Sequence, residues 1–310
     1  MNPRYSIVVP VFEEEDVLPR FYERLKPVLD GLDGPAEVIF VIDGGRDRSF
    51  EIVKELRARD ERVKGIKLSR NFGHQYALSA GIDHARGDAV IMMDADLQHP
   101  PELIPRLVEQ WRAGAQVVNT SRESTEGIGP FKRLTAAFFY GLLNRFGNIR
   151  LSPNSADFRL IDRRVADRLR DVREQARFLR GLFVWVGFRQ VTVPYRAEAR
   201  AAGRSKYSTK RMARLALDGI TSFSVAPLRL ATVFGFIVSL LGFAYAVYAL
   251  VVKIAGNAVT GWTSLIIVVL LLGGVQLITL GVIGEYIAKI YLETKKRPLY
   301  IVDETLGLED

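Results

Sequence analysis

Two carboxylates stand one residue apart, directly after an apolar run in the stretch "VIMMDADLQHP". They are Asp94 and Asp96. A carboxylate is costly to remove from water unless it is paired or binds a cation. Two of them at the mouth of a crevice can hold a hard divalent cation, which in turn neutralises phosphate groups. The alternative is a solvated turn at the end of a strand, in which Asp96 caps the helix that begins near Pro100.

A second polar stretch, "VIDGGRDRS", follows an apolar run and precedes a segment with helical spacing. It matches neither the dinucleotide-binding G-x-G-x-x-G pattern nor a Walker loop. Its backbone N–H groups and the carboxylate of Asp43 can still contact a nucleotide at the start of a helix.

These polar stretches belong to a regular alternation of strand-like and helix-like segments over residues 5–121. The strand-like runs are YSIVVPV, AEVIFVI, VKGIKLS, DAVIMMD and AQVVNTS. Such alternation predicts an α/β fold, with a mainly parallel sheet covered by helices on both faces. Ligands of these sheets bind at the carboxyl ends of the strands, which is where Asp94 and Asp96 stand.

The charge of the chain is unevenly distributed. The 310 residues carry a formal net charge of +8, and no cysteine is present. A basic excess suits anionic partners such as nucleic acid, phosphorylated ligands or an anionic membrane face. The lack of cysteine excludes disulfides, thiolate zinc sites and cysteine nucleophiles. Between Arg229 and Glu285 the sequence contains a single charged residue, Lys253.

Two uncharged runs, residues 230–252 and 254–284, are each long enough to cross a bilayer, which takes about 20 residues as a helix. A buried pair of core helices in a soluble protein is the alternative. Cations flank the pair on the outer sides, which predicts that both termini are cytoplasmic. The basic and apolar stretch before the first run predicts a helix lying in the membrane interface. The flanking cations are Lys206, Lys210, Arg211, Arg214, Arg229, Lys289, Lys295, Lys296 and Arg297.

Several stretches together resemble family 2 glycosyltransferases of the GT-A fold. The similarity is greatest to the polyprenyl-phosphate glycosyltransferases, which include bactoprenol glucosyltransferase, dolichol-phosphate mannosyltransferase and undecaprenyl-phosphate aminoarabinose transferase. It extends through almost the whole chain, and the order of the motifs is more specific than any one of them. The motifs are SIVVPVFEEE, SRNFGHQYALSAGIDHARGD, DADLQHPPELI, NSADFRLIDRRV, RFLRGLFVWVGFRQ, GRSKYS and the paired spans ending in GVIGEYIAKIY.

This resemblance implies a domain organisation. A GT-A (Rossmann-like) catalytic domain occupies residues 1–200, and a basic motif with an interfacial helix occupies 201–228. Two transmembrane helices occupy 229–288, and a cytoplasmic tail, residues 289–310, follows. The strand-like "LYIV" of the tail is expected to dock on a catalytic domain, its own or a neighbour's. The enzyme is expected in the inner (cytoplasmic) membrane as a homo-oligomer, with a tetramer favoured.

The resemblance also implies a reaction. A sugar moves with inversion from a nucleotide sugar, UDP-glucose as the first choice, to undecaprenyl phosphate, in a step that uses Mg²⁺ or Mn²⁺. The lipid-linked sugar would serve modification of envelope glycans. The acceptor phosphate, with a second pKa of about 6, is largely dianionic at neutral pH and needs no strong base.

The family's functional positions match residues of this sequence. Asp94 corresponds to a catalytic position that contacts the nucleotide sugar, Asp96 to the principal metal ligand, and Gln98 to a residue that shapes the diphosphate site. The nucleoside is expected at Pro10, Glu14 and Asp43. Asp157 and Arg159 lie on the acceptor side, where Asp157 is interpreted first as a positioning group and second as a base. The phosphate-binding candidates are Arg122, Arg204, Ser205 and Lys206.

The sequence departs from the family pattern at the nucleoside end. The usual V-[DN]-D-G-S here has Ile42 and Gly45 at its polar and serine positions. These changes leave open a non-catalytic membrane scaffold that binds nucleotide sugar or lipid phosphate. A third hypothesis keeps the chemistry but uses a hydroxyl lipid acceptor, which would require a base. His99 is expected to be a turn residue or a metal ligand, and His74 to be structural or to face phosphate.

Overall fold

The computed structural model describes residues 3–123, 155–196, 221, 224–255 and 261–308. The described strands are β1 (Tyr5–Val11), β2 (Ala36–Ile42), β3 (Val63–Leu68), β4 (Ala89–Met92), β5 (Val117–Arg122), β6 (Ser155–Asp162), β7 (Gln190–Tyr195) and β8 (Val302–Leu306). The described helices are α1 (Leu18–Asp30), α2 (Ser49–Arg59), α3 (His74–His84), α4 (Ile104–Arg112), α5 (Arg163–Asp171), α6 (Leu179–Trp185), α7 (Ala226–Ile254) and α8 (Trp262–Thr294).

The eight described strands form one sheet, in the order β7-β5-β6-β4-β1-β2-β3-β8. β6 and β8 run antiparallel to their neighbours, and the other pairings are parallel. The predicted GT-A type of α/β fold is therefore confirmed. The strand order reverses at β1, which has β2 on one side and β4 on the other, so the carboxyl ends of β1 and β4 border the binding crevice.

The core consists of two apolar layers, one on each face of the sheet. β1 and β2 are buried at every position, as expected for parallel strands covered on both faces. α1, α2 and α4 pack on one face, and α3, α5 and α6 pack on the other. Each fully buried valine or isoleucine contributes about 1.5–3 kcal/mol of hydrophobic stabilisation. This packing makes the sheet a firm base for the side chains at its carboxyl edge.

The C-terminal half contains the two long apolar helices, α7 with 29 residues and α8 with 33. Both are long and apolar enough to cross a membrane, and their most apolar windows are entirely outside the described core. That exposure argues against a buried pair of soluble core helices. The helices extend beyond the predicted range 229–288 at both ends. Most of the predicted basic motif and interfacial helix, 201–228, lies outside the described residues.

The tail docks on the sheet of its own chain through β8, which pairs antiparallel with β3. The strand begins at Val302, so most of the predicted strand-like run "LYIV" precedes it. Lys54 pairs with Glu304 at 2.8 Å and Lys67 with Asp303 at 3.1 Å across this edge. Exposed pairs of this kind contribute about 0–1 kcal/mol each, so backbone pairing provides most of the attachment.

Candidate active site

The acidic loop begins two residues after β4 and turns tightly. The backbone N–H of Gln98 donates to Oδ1 of Asp96 at 3.1 Å, which closes the turn. Leu97 has a φ of 62°, a left-handed conformation that costs a non-glycine residue about 1 kcal/mol or more. Asp96 therefore stabilises its own loop, and the helical turn that begins at Pro101 lies further along the chain. The tight turn closed by this hydrogen bond holds both carboxylates at the edge of the crevice.

His99 is buried beneath this loop. Its side chain is 1% exposed, and its ring stacks on Phe158 with 5.2 Å between centroids. Nδ1 accepts the backbone N–H of Asp94 at 3.0 Å, which requires that nitrogen to be unprotonated. Burial lowers the pKa of His99, in agreement with a neutral ring. His99 thus lies in a turn, as expected, but its ring is in the core and it fixes the backbone of Asp94.

Asp94 forms an ion pair with His74, the first residue of α3. His74 Nε2 and Asp94 Oδ1 are 2.8 Å apart, and the side chains remain 40% and 31% exposed in the open crevice. Burial acts to lower the pKa of His74, but the charge of Asp94 outweighs it and raises that pKa to about 9. Burial acts to raise the pKa of Asp94, and the ion pair with His74 is among the interactions that lower it to about 2. A cation and an anion therefore stand side by side at neutral pH.

Asp157 comes close to Asp94 because β6 runs antiparallel to β4. The register pairs Met92 with Arg159, so the start of β6 lies at the carboxyl end of β4. Arg180 holds both carboxylate oxygens of Asp157, with Nε to Oδ1 at 2.7 Å and Nη2 to Oδ2 at 2.9 Å. Burial acts to raise the pKa of Asp157, but the Arg180 guanidinium lowers it well below its usual range.

Arg159 points to the same face of the sheet as Asp157, since side chains alternate along a strand. It is 2% exposed, and its guanidinium lies 4.2 Å from the ring centroid of Phe183 in α6. Nη2 donates to the carbonyl of Ala156 at 3.0 Å, and Nε has no partner among the described residues. Burial lowers its pKa to about 10. The structure thus places Arg159 beneath Asp157, and its contact with an acceptor phosphate stays a prediction.

Arg122 and Gln98 meet on the other side of the acidic loop. Arg122 Nη2 donates to Gln98 Oε1 at 3.3 Å, and its Nε donates to the hydroxyl of Tyr195 at 3.2 Å. The ring of Tyr195 also contacts His99, with 6.1 Å between centroids. Arg122 is therefore within reach of a diphosphate bound at the loop. The other predicted phosphate ligands, Arg204, Ser205 and Lys206, lie outside the described residues.

Asp43 lies at the carboxyl end of β2 and is 2% exposed. Its carboxylate accepts the backbone N–H groups of Phe72 at 2.7 Å and Gly73 at 2.8 Å. Burial raises its pKa although these two hydrogen bonds oppose the shift. In this structure Asp43 organises the loop before α3. Pro10 is opposite Val41 in the sheet, and the backbone N–H of Glu14 donates to Ser49 Oγ at 3.3 Å.

The two departures at the nucleoside end have backbone and packing explanations. Ile42 is 3% exposed and is part of the apolar layer that α1, α2 and α4 cover. Gly45 has a φ of 105°, a conformation that serine adopts only with strain. At Gly44 a Cβ would lie 2.5 Å from the backbone nitrogen of Asn71. These positions shape the loop, so the departures do not by themselves indicate loss of activity.

Three partners of the predicted site residues were missed by the sequence reasoning. They are His74, Arg180 and Tyr195, which contact Asp94, Asp157 and Arg122 respectively. His74 and Arg180 stand in the motifs SRNFGHQYALSAGIDHARGD and RFLRGLFVWVGFRQ, and each is at or near the first residue of a helix. A polar residue at the start of a helix that begins at the carboxyl edge of the sheet is the signal that could have found them.

Comparison with known proteins assigns the family. The model of glycosyl transferase family 2 matches residues 6–170, and that of the GtrB C-terminal hairpin matches residues 226–290. The chain belongs to glycosyl transferase family 2 and carries a C-terminal hairpin of the GtrB type. The predicted family membership is confirmed.

Similar proteins cover nearly the full length of the chain. An uncharacterized glycosyltransferase of Bacillus subtilis (strain 168), YkcC, is 48% identical over 99% of this chain and 95% of its own length. The bactoprenol glucosyl transferase of Shigella phage SfX is 42% identical over 96% of this chain and 98% of its own length. Among solved structures, glucosyl-3-phosphoglycerate synthase from Mycobacterium tuberculosis has a TM-score of 0.46 and 18% identity, covering 71% of this chain and 78% of that one.

Proposed function

We propose that this protein is a membrane glycosyltransferase that transfers a sugar from a nucleotide sugar to a polyprenyl phosphate, with UDP-glucose and undecaprenyl phosphate as the first choices. The observation that carries the proposal is the placement of the acidic loop, Asp94 to Asp96, beside the Asp157–Arg180 pair at the carboxyl edge of the sheet. The same chain carries two apolar helices that can cross a membrane. The relative from Shigella phage SfX is named for the same type of acceptor.

A divalent cation fits the donor set of the acidic loop. Within the described part of the chain no group of three or more ligating side chains occurs. Mg²⁺ and similar ions are commonly held by one or two carboxylates, with substrate phosphates and water as the other ligands. Asp96 would hold the ion, with Asp94 next to it. When bound, the ion neutralises charge on the leaving nucleoside diphosphate, and Mg²⁺ or Mn²⁺ can supply this chemistry.

The side chains around the crevice suit a direct displacement. An oxygen of the acceptor phosphate forms the new bond to the anomeric carbon while the bond to the diphosphate oxygen breaks, which inverts that carbon. The low pKa of Asp157 and its two hydrogen bonds from Arg180 suit an orienting anion better than a proton acceptor. With a phosphate acceptor we expect Asp157→Asn to reduce transfer. With a hydroxyl acceptor, which needs a base, the same substitution would abolish transfer.

The membrane helices would hold the crevice at the surface where the lipid-linked acceptor lies. Tethering both reactants to one surface raises the effective concentration of the acceptor without any new contact. The cations at and after the end of α8 support a cytoplasmic position for the catalytic domain and both termini, at the inner membrane. A homo-oligomer, with a tetramer favoured, stays a prediction from the family resemblance.

The proposal is tested by a transfer assay with the purified full chain in nanodiscs. The protein receives undecaprenyl phosphate, Mg²⁺ or Mn²⁺, and in separate reactions each member of a panel of radiolabelled UDP- and GDP-sugars. We expect label from UDP-glucose in the lipid phase, and its loss with EDTA. Asp96→Ala should lower the rate by about 100-fold or more, while Asp171→Ala, an exposed acid on α5, keeps it. If the folded protein transfers no sugar from any donor, the result contradicts the proposed enzymatic function and favours the hypothesis of a non-catalytic scaffold.

A further inference from the structure

The acceptor side of the crevice contains a two-point ion pair that no motif assigns. Arg180 donates through Nε and Nη2 to the two different oxygens of Asp157, at 2.7 and 2.9 Å. The side chains of Arg180 and Asp157 are 33% and 14% exposed, so water competes only partly for these bonds. Two parallel hydrogen bonds fix the plane of a carboxylate as well as its position.

Arg180 is itself held by a firmly packed element. It is the second residue of α6, whose first residue, Leu179, donates its backbone N–H to Gln75 Oε1 of α3 at 3.1 Å. One turn later, Phe183 is 2% exposed and lies against the guanidinium of Arg159. Both ends of this short helix are thus anchored. The packing of α6 determines the position of the Arg180 guanidinium. That guanidinium in turn determines the position of the Asp157 carboxylate.

We propose that Arg180 is a positioning residue that fixes the orientation of the Asp157 carboxylate on the acceptor side of the crevice. The expected effect of Arg180 on turnover rests on the proposed function. Without Arg180 the carboxylate of Asp157 can rotate about its side-chain bonds. An error of about 1 Å in such a group can cost about 100-fold in rate. Arg180 acts through Asp157 and is not assigned a contact with substrate.

The chain offers a closely matched control in Arg62 and Asp60. Arg62 donates two hydrogen bonds to Asp60, from Nε to Oδ1 at 3.0 Å and from Nη2 to Oδ2 at 2.7 Å. The side-chain exposures, 28% and 9%, are close to those of the Arg180 pair. Asp60 precedes β3, so this pair lies at the edge of the sheet opposite the crevice. Arg62→Ala therefore removes the same kind of ion pair without touching the site.

The first experiment measures steady-state transfer by Arg180→Ala, Arg180→Lys and Arg62→Ala. We expect Arg180→Ala to lower kcat by about 100-fold, with a change of less than about twofold in KM for the nucleotide sugar. Arg180→Lys should recover part of the rate, since lysine supplies the charge without the paired hydrogen bonds. Arg62→Ala should keep kcat. Equal kcat in Arg180→Ala and the wild type overturns the inference, as does an equal loss in Arg62→Ala.

A second experiment uses the pH profile and a double variant. Arg180 is the strongest of the groups that lower the pKa of Asp157, while burial and Asp94 raise it and His74 and Arg159 also lower it. Without Arg180 that pKa should rise, so kcat of Arg180→Ala should begin to fall at a higher pH than kcat of the wild type. Asp157→Asn and the double variant with Arg180→Ala should have similar kcat, because residues that act as a unit are not additive. If the losses of kcat in the two single variants multiply in the double variant, the result contradicts a positioning role.

Failure of the proposed function can be separated from failure of this inference. If the wild type transfers no sugar from any donor, the carboxyl ¹³C resonance of Asp157 in labelled protein becomes the deciding measurement. It should move in Arg180→Ala and stay in place in Arg62→Ala. A resonance that is the same in both variants overturns the role of Arg180 regardless of the reaction.

Discussion

At the scale of single residues, the acidic groups of the crevice differ in what surrounds them. Asp94 has a histidine on each side, His74 in the crevice and His99 in the core. Asp157 has arginines, with Arg180 beside it and Arg159 beneath. Both carboxylates therefore stay ionised at neutral pH. Each carboxylate also has a cation beside it, so the charges of the two ion pairs are close to balanced at neutral pH.

The ion pair of Asp157 makes stability depend on pH. Its folded pKa is lowered relative to the unfolded value of about 3.9. The stabilisation is therefore fully present above about pH 5, begins to decrease near pH 4, and is lost as the pH falls further toward the lower folded pKa. We expect Asp157→Asn to unfold about 2 kcal/mol more easily at pH 7, with a difference that narrows toward pH 3 or so. Thermal unfolding in detergent at several pH values measures this difference.

The control for this pH dependence is Asp171→Asn. Asp171 and its partner Arg168 are more than 70% exposed, and their charged atoms are 3.6 Å apart. Such a pair contributes about 0–1 kcal/mol, so the variant should follow the wild type at every pH. A difference for Asp157→Asn that is constant from neutral to acid pH would show that Asp157 is not paired as described.

The sequence allowed prediction of some site residues and not of others for a physical reason. Asp94 and Asp96 were predictable because they directly follow an apolar run, which locates them at a strand end. The partners of Asp94 and Asp157 are 20 and 23 residues away in the chain. Their contacts depend on how α3 and α6 pack on the sheet and on how β6 pairs with β4, which no local pattern of residues encodes.

At the scale of elements, the loop after β2 is shaped by glycines with positive φ. Gly45 has a φ of 105°, and its nearest neighbouring atom would lie 3.5 Å from an added Cβ. Strain is therefore the main cost of a side chain here, and crowding is not. We expect Gly45→Ser, which restores the residue usual in the family, to destabilise the fold by about 1–3 kcal/mol. Thermal unfolding and calorimetric titration with UDP measure the effects on the fold and on the donor site.

Gly31→Ala is the matched control for this loop. Gly31 has a φ of −86°, and an added Cβ would meet its nearest atom at 3.5 Å. We expect this variant to keep or slightly raise the stability, since alanine restricts the unfolded chain more than glycine. If Gly45→Ser is as stable as the wild type and binds UDP more tightly, the departure at Gly45 does affect the nucleoside site.

The loop before α6 connects the end of α8 to the crevice. The backbone N–H of Gln175 donates to Glu293 Oε1 at 2.6 Å, and its side chain donates to the carbonyl of Arg297 at 2.6 Å. The hydroxyl of Tyr76, in α3, donates to the carbonyl of Gln175 at 2.7 Å. The end of a helix that can cross a membrane is thus joined to α3, whose first residue is His74.

We expect Glu293→Ala to loosen this connection. The loss of one hydrogen bond to a charged group, about 1.5–3 kcal/mol, should speed amide hydrogen exchange of Gln175 by about tenfold or more. Exchange followed by mass spectrometry in nanodiscs measures the effect. Glu285→Ala, further from the loop on the same helix, should leave the exchange unchanged. Equal exchange in Glu293→Ala and the wild type would show that α8 and the loop are not joined in solution.

The elements themselves were predictable to different degrees. β1 and β2 match their apolar runs residue for residue, because both faces of each strand are buried. β7 was not predicted, since its burial changes from residue to residue along a short exposed edge. The docking of β8 depends on antiparallel pairing with β3, 234 or more residues earlier in the chain. β6 was not predicted either, although it lies inside the sheet, so a continuous apolar run and not burial alone is what made a strand predictable.

At the scale of the whole molecule, charge and hydropathy divide the chain into two parts. α7 and α8 are long and apolar enough to cross a membrane. Lys289, Lys295, Lys296 and Arg297 cluster at or beyond the end of α8, whereas Lys253 is the one charged residue between the two uncharged runs. If the hairpin spans the inner membrane, the cation-rich side is the cytoplasmic one. The catalytic crevice would then face the compartment that holds nucleotide sugars.

The orientation can be tested directly because the chain contains no cysteine. We introduce a single thiol as Asn257→Cys, between α7 and α8 in the sequence, or as Glu304→Cys on the exposed strand β8. A maleimide that cannot cross the inner membrane should label Asn257→Cys from the periplasmic side in intact bacterial cells. It should label Glu304→Cys only after the inner membrane is opened, and the cysteine-free parent should remain unlabelled. The reverse pattern would place the crevice on the outer side of the membrane, away from the pool of nucleotide sugars, and would contradict the proposed donor as well as the orientation.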